Sequence, residues 1–323
     1  MSNKPRSKIG GRAHAVSRGD AVAPPSIVVE ERFVRSFDGT SLLVLSWGRG
    51  LPVVLCDGIG CNGFILRYLL PALQPGFQVV SWHYRGHGQS DMPADPNAVG
   101  VPELRQDLLA VLDELGIERA VLLGYSMGVQ LSLDFAIHYP ERVVGLVEMC
   151  GTYGHLLETF HGNRLTARLF PVLNGLVQRL PRVGQEVWRQ IFASELTYQL
   201  AVRIEVQGPL VDRADFQPYF DHLVQLDVQL FFRMLDQVRK HTVEQELHFI
   251  TAPTLIVAGE RDNFAPVWVS KRMQKLIAGS ELLIVPWGTH IAPLEMPGLV
   301  GVRVRRFLEE RVLPVVGRDG EIA

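Results

Sequence analysis

Three groups of residues in this chain could carry chemistry. The first is Gly124-Tyr125-Ser126-Met127-Gly128, a serine with a glycine two residues to either side, placed where an apolar run stops. A serine hydroxyl is a poor nucleophile at neutral pH and needs a positioned base to take its proton. The base in turn needs a carboxylate to fix its tautomer and stabilise its charged form. Suitable groups follow along the chain: Glu260-Arg261-Asp262-Asn263, then Trp287-Gly288-Thr289-His290. Serine, then acid, then histidine is the chain order that suits a nucleophile on a tight strand-to-helix turn. The chemistry would be attack on a carbonyl. The backbone N–H of Met127, at the start of the following helix, would face the negative charge that develops.

By itself the pentapeptide also fits a turn serine that caps a helix. The elements around it decide. Residues 120–124 read as a buried strand, and 127–138 as a helix stopped by Tyr139-Pro140. Reversing from strand to helix within so few residues forces the serine into an unfavourable backbone conformation, and the glycines remove side chains that would collide. The acid and base groups each follow an apolar run, 254–259 and 281–286. In a parallel sheet those ends share an edge with the tip of the serine strand.

The remaining pattern is strand alternating with helix. Strands are expected over 27–36 and 42–47, joined by the turn pair Asp38-Gly39, and over 53–56, 77–82 and 143–149. Helices are expected over 64–73 and 103–115, the latter with Leu104, Leu108, Val111, Leu112 and Leu115 on one face. A closing helix covers 297–310. The rhythm breaks at about Thr152. Residues 153–246 hold helical patterns and no convincing strand, with Leu223, Leu226, Leu230, Met234 and Val238 along one helical face. The fold class is therefore α/β, a mostly parallel sheet flanked by helices. Its core is 27–152 plus 247–323, and 153–246 is an inserted helical cap, or lid, over the edge where such sheets bind ligands. Residues 1–26 are basic and rich in Gly and Ser, and read as a disordered tail.

Together with Arg85-Gly86-His87-Gly88-Gln89-Ser90, these motifs resemble the α/β-hydrolase superfamily, in its cap-bearing branch, from about residue 27 to 313. The resemblance implies Ser126 as nucleophile, His290 as base and Asp262, rather than Glu260, as orienting acid. It also implies the backbone N–H of Ile59 as the second oxyanion donor beside that of Met127. Family members commonly carry His-Gly where this chain has Asp57-Gly58. A carboxylate there opposes the stabilisation of an anion unless it is paired or turned away; Arg85 and backbone donors are the candidates to hold it. His83 and His138 read as structural, and His87 as shaping a loop near the site. Haloalkane dehalogenases and epoxide hydrolases of the superfamily use an aspartate at the elbow, so Ser126 argues against both activities.

The expected function is hydrolysis of a small or medium apolar carboxylic ester through an acyl-Ser126 intermediate. The apolar preference rests on ten aromatic residues between Phe160 and Phe232, most of them expected in the insertion's own core. Two alternatives stay open: carbon–carbon bond hydrolysis or perhydrolysis by the same three side chains, and a non-catalytic ligand sensor of the same fold.

Bulk composition narrows the partners. The chain has 323 residues, 47% of them apolar, and a formal net charge of −2. No basic stripe with interleaved aromatics points to nucleic acid. The three cysteines, Cys56, Cys61 and Cys150, make no disulfide framework and suit a reducing, cytoplasmic setting. No apolar run reaches the roughly 18 residues that span a bilayer, so no membrane insertion is expected. No His/Asp/Glu cluster has ligand spacing, so neither a metal nor a cofactor is expected. The expected partner is a small-molecule substrate.

Overall fold

A computed structural model of the protein describes residues 29–74, 76–159, 164–204 and 211–317. The tail read over residues 1–26 lies outside the described residues.

Eight strands form one sheet in the order β1-β2-β4-β3-β5-β6-β7-β8. The hairpin at Asp38-Gly39 joins β1 (Glu30–Arg35) to β2 (Ser41–Gly48), and Gly39 takes the left-handed conformation the turn needs, φ 87°. β1 with β2, and β2 with β4, are antiparallel; every other neighbouring pair is parallel. β3 (Gly50–Cys56) is followed by a 3₁₀ turn (Phe64–Leu66), α1 (Leu70–Leu73) and β4 (Gly76–Trp82). The single helix expected over 64–73 is thus two short pieces. Pro71 lies in the first turn of α1, where its missing N–H is harmless, but it ends any helix arriving from upstream.

α2 (Val101–Glu114) precedes β5 (Ala120–Tyr125), and α3 (Met127–His138) leads to β6 (Val143–Met149). β5, β6 and β7 (Thr254–Gly259) are buried at every residue, which is why they read as continuous apolar runs without alternation. After β7 come α10 (Val267–Leu276), β8 (Glu281–Val285), α11 (Ala292–Glu295) and α12 (Pro297–Phe307). The chain then runs into a π-helical turn (Leu308–Val312) and α13 (Leu313–Val316).

The core lies in two layers, one on each side of the sheet. Leu104, Leu108 and Leu112 of α2, Phe135 of α3 and Met273 of α10 fill one. Ile65, Leu69, Leu73, Val300, Val304 and Phe307 fill the other. Each such side chain contributes about 1.5–3 kcal/mol when fully buried.

Between β6 and β7 the described residues form six α-helices, α4 (Leu156–Thr159), α5 (Arg164–Arg179), α6 (Pro181–Ala193), α7 (Glu195–Ile204), α8 (Arg213–Gln225) and α9 (Val228–Val238), and a 3₁₀ turn (Leu247–Phe249). The five apolar residues from Leu223 to Val238 are all buried, but they do not share one helix. The chain breaks at Leu226-Asp227, both extended, and Asp227 caps α9 by accepting the Leu230 N–H at 2.8 Å. A bridge between Gly154 and Thr242 ties the two ends of the segment together. The helices pack down onto loops at the strand ends. Tyr219 stacks on Phe64 with ring centroids 5.3 Å apart. A Cβ on Gly60 would lie 2.8 Å from Leu223.

Candidate active site

Ser126 sits between β5 and α3 with φ 53° and ψ −114°. A non-glycine residue holds such a backbone only where its surroundings impose it, at about 1–3 kcal/mol. Two close approaches impose it here. A Cβ on Gly128 would lie 1.8 Å from the Cys56 carbonyl oxygen, so α3 can start against the end of β3 only through a glycine. A Cβ on Gly124 would lie 2.4 Å from the Glu148 carboxyl and 2.6 Å from the Ser132 hydroxyl. The Ser126 N–H donates to the Met149 carbonyl at 3.0 Å, which fixes the turn to β6. Cys150 after β6 and Trp287 after β8 also have positive φ, 48° and 62°. Strained backbone therefore gathers at the ends of β5, β6 and β8.

The structure brings Ser126, Asp262 and His290 together. Ser126 Oγ is 2.9 Å from His290 Nε2, and His290 Nδ1 is 2.9 and 3.1 Å from the two Asp262 oxygens. The neutral imidazole that satisfies both contacts carries its proton on Nδ1. It donates to Asp262 and leaves Nε2 to accept the serine hydroxyl. Asp262 is buried and accepts the N–H groups of Phe264 and Ala265, each at 2.8 Å. The imidazole lies between the rings of Phe264 and Tyr125, with centroids at 4.7 and 5.5 Å.

The loops that carry acid and base are stitched to each other. The Trp287 N–H donates to Glu260 at 2.8 Å and the Arg261 N–H to the Gly288 carbonyl at 2.7 Å. The Arg261 guanidinium lies over the Trp287 ring, 4.0 Å from its centroid. Buried Glu295 accepts both the N–H and the hydroxyl of Thr289, each at 2.7 Å, and holds the residue before His290. Glu260 thus braces the loops and makes no contact with the imidazole.

The N–H of Met127 opens the twelve-residue α3, and the N–H of Ile59 lies in the loop after β3. Neither donates to an acceptor among the described residues. Asp57, next to this loop, is buried and is held by backbone, not by Arg85. Its carboxylate accepts the Gly58 N–H at 2.8 Å and the Gly63 N–H. Burial pushes its pKa up to about 6, with the two backbone donors pulling the other way. Arg85 instead pairs with Asp107 at 2.5 Å and Asp38 at 2.9 Å. His87 is fully buried, accepts the Gly60 N–H at 3.2 Å and so props the Ile59 loop from behind. His138 lies 2.8 Å from its own helix's Asp134 carbonyl.

Two residues near the site went unread in the sequence. Glu148 in β6 is fully buried beneath the turn, its pKa pushed well up by burial, with Ser132 Oγ 2.7 Å away. A lone acid in an otherwise apolar strand was its visible signal. His222 on α8 is buried with its ring stacked 6.2 Å from His87, and Nε2 has no hydrogen-bond partner among the described residues. Nothing in its helix marked it. Among the described residues no group of three or more His, Cys, Asp or Glu is placed to hold a metal ion.

With fold and geometry in place, comparison with known proteins gives the class. The chain belongs to the alpha/beta hydrolase fold family, whose profile matches residues 52–297. A putative carbamate hydrolase, RutD, of Klebsiella pneumoniae (strain 342) is 27% identical over 249 residues, 76% of this chain and 86% of that protein. A hydrolase from Pseudomonas aeruginosa PA01 superposes with a TM-score of 0.68 at 24% identity, covering 86% of this chain and 98% of its own. The esterase EaEST from Exiguobacterium antarcticum gives 0.67 at 22%, covering 86% and 99%. The protein is a hydrolase of the alpha/beta family.

Proposed function

We propose that the protein is a serine hydrolase acting on a small or medium apolar carboxylic ester. Ser126 is the nucleophile, His290 the base and Asp262 the orienting acid. The observation that carries this reading is the unbroken hydrogen-bond path from Asp262 through His290 to Ser126 Oγ, with contacts of 2.9 Å on each side of the imidazole. It begins on a carboxylate anchored by backbone and ends on a hydroxyl held at a strained turn.

In the first half-reaction the serine proton passes to His290 Nε2 as Oγ bonds to the ester carbonyl carbon. The N–H groups of Ile59 and Met127 stabilise the oxyanion, and the dipole of α3 adds to them. His290 then returns its proton to the departing alkoxide and leaves acyl-Ser126. In the second half-reaction His290 takes a proton from water as the water oxygen bonds to the acyl carbon, then gives that proton to Ser126 Oγ as the acyl–oxygen bond breaks, and the carboxylic acid is released. The helices between β6 and β7 act as a cap over this site. Their buried aromatics, among them Phe170, Trp188, Phe216, Phe220 and Phe232, support an apolar lining and also form the segment's own core.

A panel of p-nitrophenyl esters of graded acyl length tests the reading, with a p-nitrophenyl carbamate alongside because the RutD relatives are named for that bond. The expected result is turnover of short or medium esters by the wild type and a loss of about 10⁴-fold or more in Ser126→Ala. Absence of turnover across the panel, or equal turnover by the variant, contradicts it.

A further inference from the structure

The outer face of the helices between β6 and β7 is apolar where a soluble protein is normally polar. On α5, Leu169, Val172 and Leu176 are 57%, 74% and 54% exposed. On α6, Val183, Val187 and Ile191 follow at 58%, 49% and 46%. The spacing by threes and fours lines each set along its helix, beside the buried residues that face inward, Phe170 and Val177 on α5 and Trp188 on α6. α5 packs on α6 and α6 on α7, so the outward stripes lie on helices that touch. Isolated exposed leucines need no explanation, but stripes on adjoining helices mark an interaction surface.

The charges around the stripes say what kind. Arg168, Arg179, Arg182, Arg189 and Arg203 are all exposed, and none forms an ion pair with a described residue. Between residues 165 and 204 the acids are Glu186 and Glu195, and Glu195 is already taken by Arg213 at 2.6 Å. This is a basic rim around an apolar face in a protein whose formal net charge is −2. A second copy of the chain fits poorly. A two-fold contact sets each patch against itself, so the unpaired arginines of both copies would crowd one seam. The chain's own first 28 residues carry Lys4, Arg6, Lys8, Arg12 and Arg18 against Asp20, and would be repelled for the same reason.

We propose that this face is a docking surface for an anionic lipid bilayer, on which α5 and α6 lie in the interface with their apolar side chains among the acyl chains and their arginines at the headgroups. Helices with an apolar side and an arginine-bearing side bind membranes in this way, and affinity rises with anionic lipid. No helix of the described residues is long and apolar enough to cross a membrane, so the contact is peripheral. The inference does not depend on the chemistry proposed for Ser126.

The test is co-sedimentation of the full chain with vesicles of phosphatidylcholine alone and of phosphatidylcholine with phosphatidylglycerol. The expected result is binding to the anionic vesicles about ten-fold or more above the neutral ones, falling as salt is raised. Val172→Gln/Leu176→Gln/Val187→Gln should lose that binding, and Arg179→Gln/Arg182→Gln/Arg189→Gln should lose the preference for anionic lipid. Both variants are read only with wild-type circular dichroism and melting temperature; if either unfolds, single Val172→Gln and Arg182→Gln variants replace them, each expected to weaken binding. The proposal is overturned by absence of binding to both vesicles, by binding that the folded variants leave unchanged, or by a concentration-dependent dimer that the apolar variant dissolves.

Discussion

Ser126, at φ 53°, is held by what glycine allows on either side of it, so the most local predictions concern the glycines and the acid. Gly128→Ala drives a methyl into the Cys56 and Asp57 carbonyl oxygens, 1.8 and 2.7 Å from the new Cβ. Since both obstacles are backbone, the expected cost is about 3 kcal/mol or more in chemical denaturation, with loss of activity. Asp262→Asn keeps the shape but offers an amide N–H to one of the backbone donors or to the imidazole. On the proposed chemistry, kcat should fall by about 10⁴-fold with little change in KM, measured on any ester the wild type turns over. Asp57 makes a prediction with a sign. Its pKa is raised in the fold to about 6 from 3.8, so its stabilising contribution is full below pH 4 and is lost as pH rises through 6. Asp57→Asn should therefore gain about 3 kcal/mol relative to wild type between pH 4 and pH 7, on top of a constant loss for the Gly63 N–H it can no longer satisfy. A difference that does not change with pH would show that the carboxyl is not burdened by burial.

At the scale of elements, β5, the turn and α3 were legible because their residue pattern is local, an apolar run, a serine between two glycines and a helix stopped by Tyr139-Pro140, although the contacts that hold the turn reach Cys56, Glu148 and Met149. The positions of Asp262 and His290 after β7 and β8 were legible for the same reason, as ends of apolar runs. Their approach to Ser126 rests on strand order, which the sequence does not state. Pro71 was in plain sight, yet the apolar period across 64–73 hid the break it causes. Asp227 likewise interrupts a helical period that continues in phase from α8 to α9, so the buried face was read correctly and the helix count was not. Asp227→Ala removes the cap on the Leu230 N–H and should cost about 1 kcal/mol in a urea melt, without affecting α3 or the site. The ties between Glu260 and Trp287, and between Glu295 and Thr289, were unreadable because they pair residues whose nearness depends on how two loops leave the sheet.

Across the whole molecule, one set of titrating groups with opposed effects on stability sits where the inserted helices meet the core. Burial lowers the pKa of His87 to about 3 and of His83 to about 4, and His222 is lowered as well. A histidine depressed in the fold contributes stability above its unfolded value near 6.5 and loses it as pH falls toward the folded value. Asp57 works in the opposite direction through part of the same window. With His83 and His87 set against Asp57, the protein should lose about 3 kcal/mol between pH 7 and pH 4.5 from these three groups, and charging His87 Nε2 would also release the Gly60 N–H that it accepts. Denaturant melts at the two pH values, on the wild type and on Asp57→Asn, His83→Gln and His87→Gln, measure each contribution as the pH-dependent difference from wild type.

The central claim, that Ser126 is a nucleophile activated by His290, is tested most directly by treating the folded protein with a fluorophosphonate and mapping the adduct by peptide mass spectrometry. The account predicts one adduct, on the peptide containing Ser126, absent in Ser126→Ala and strongly slowed in His290→Ala. An unlabelled Ser126 in the folded wild type, or labelling at an undiminished rate without His290, would contradict it.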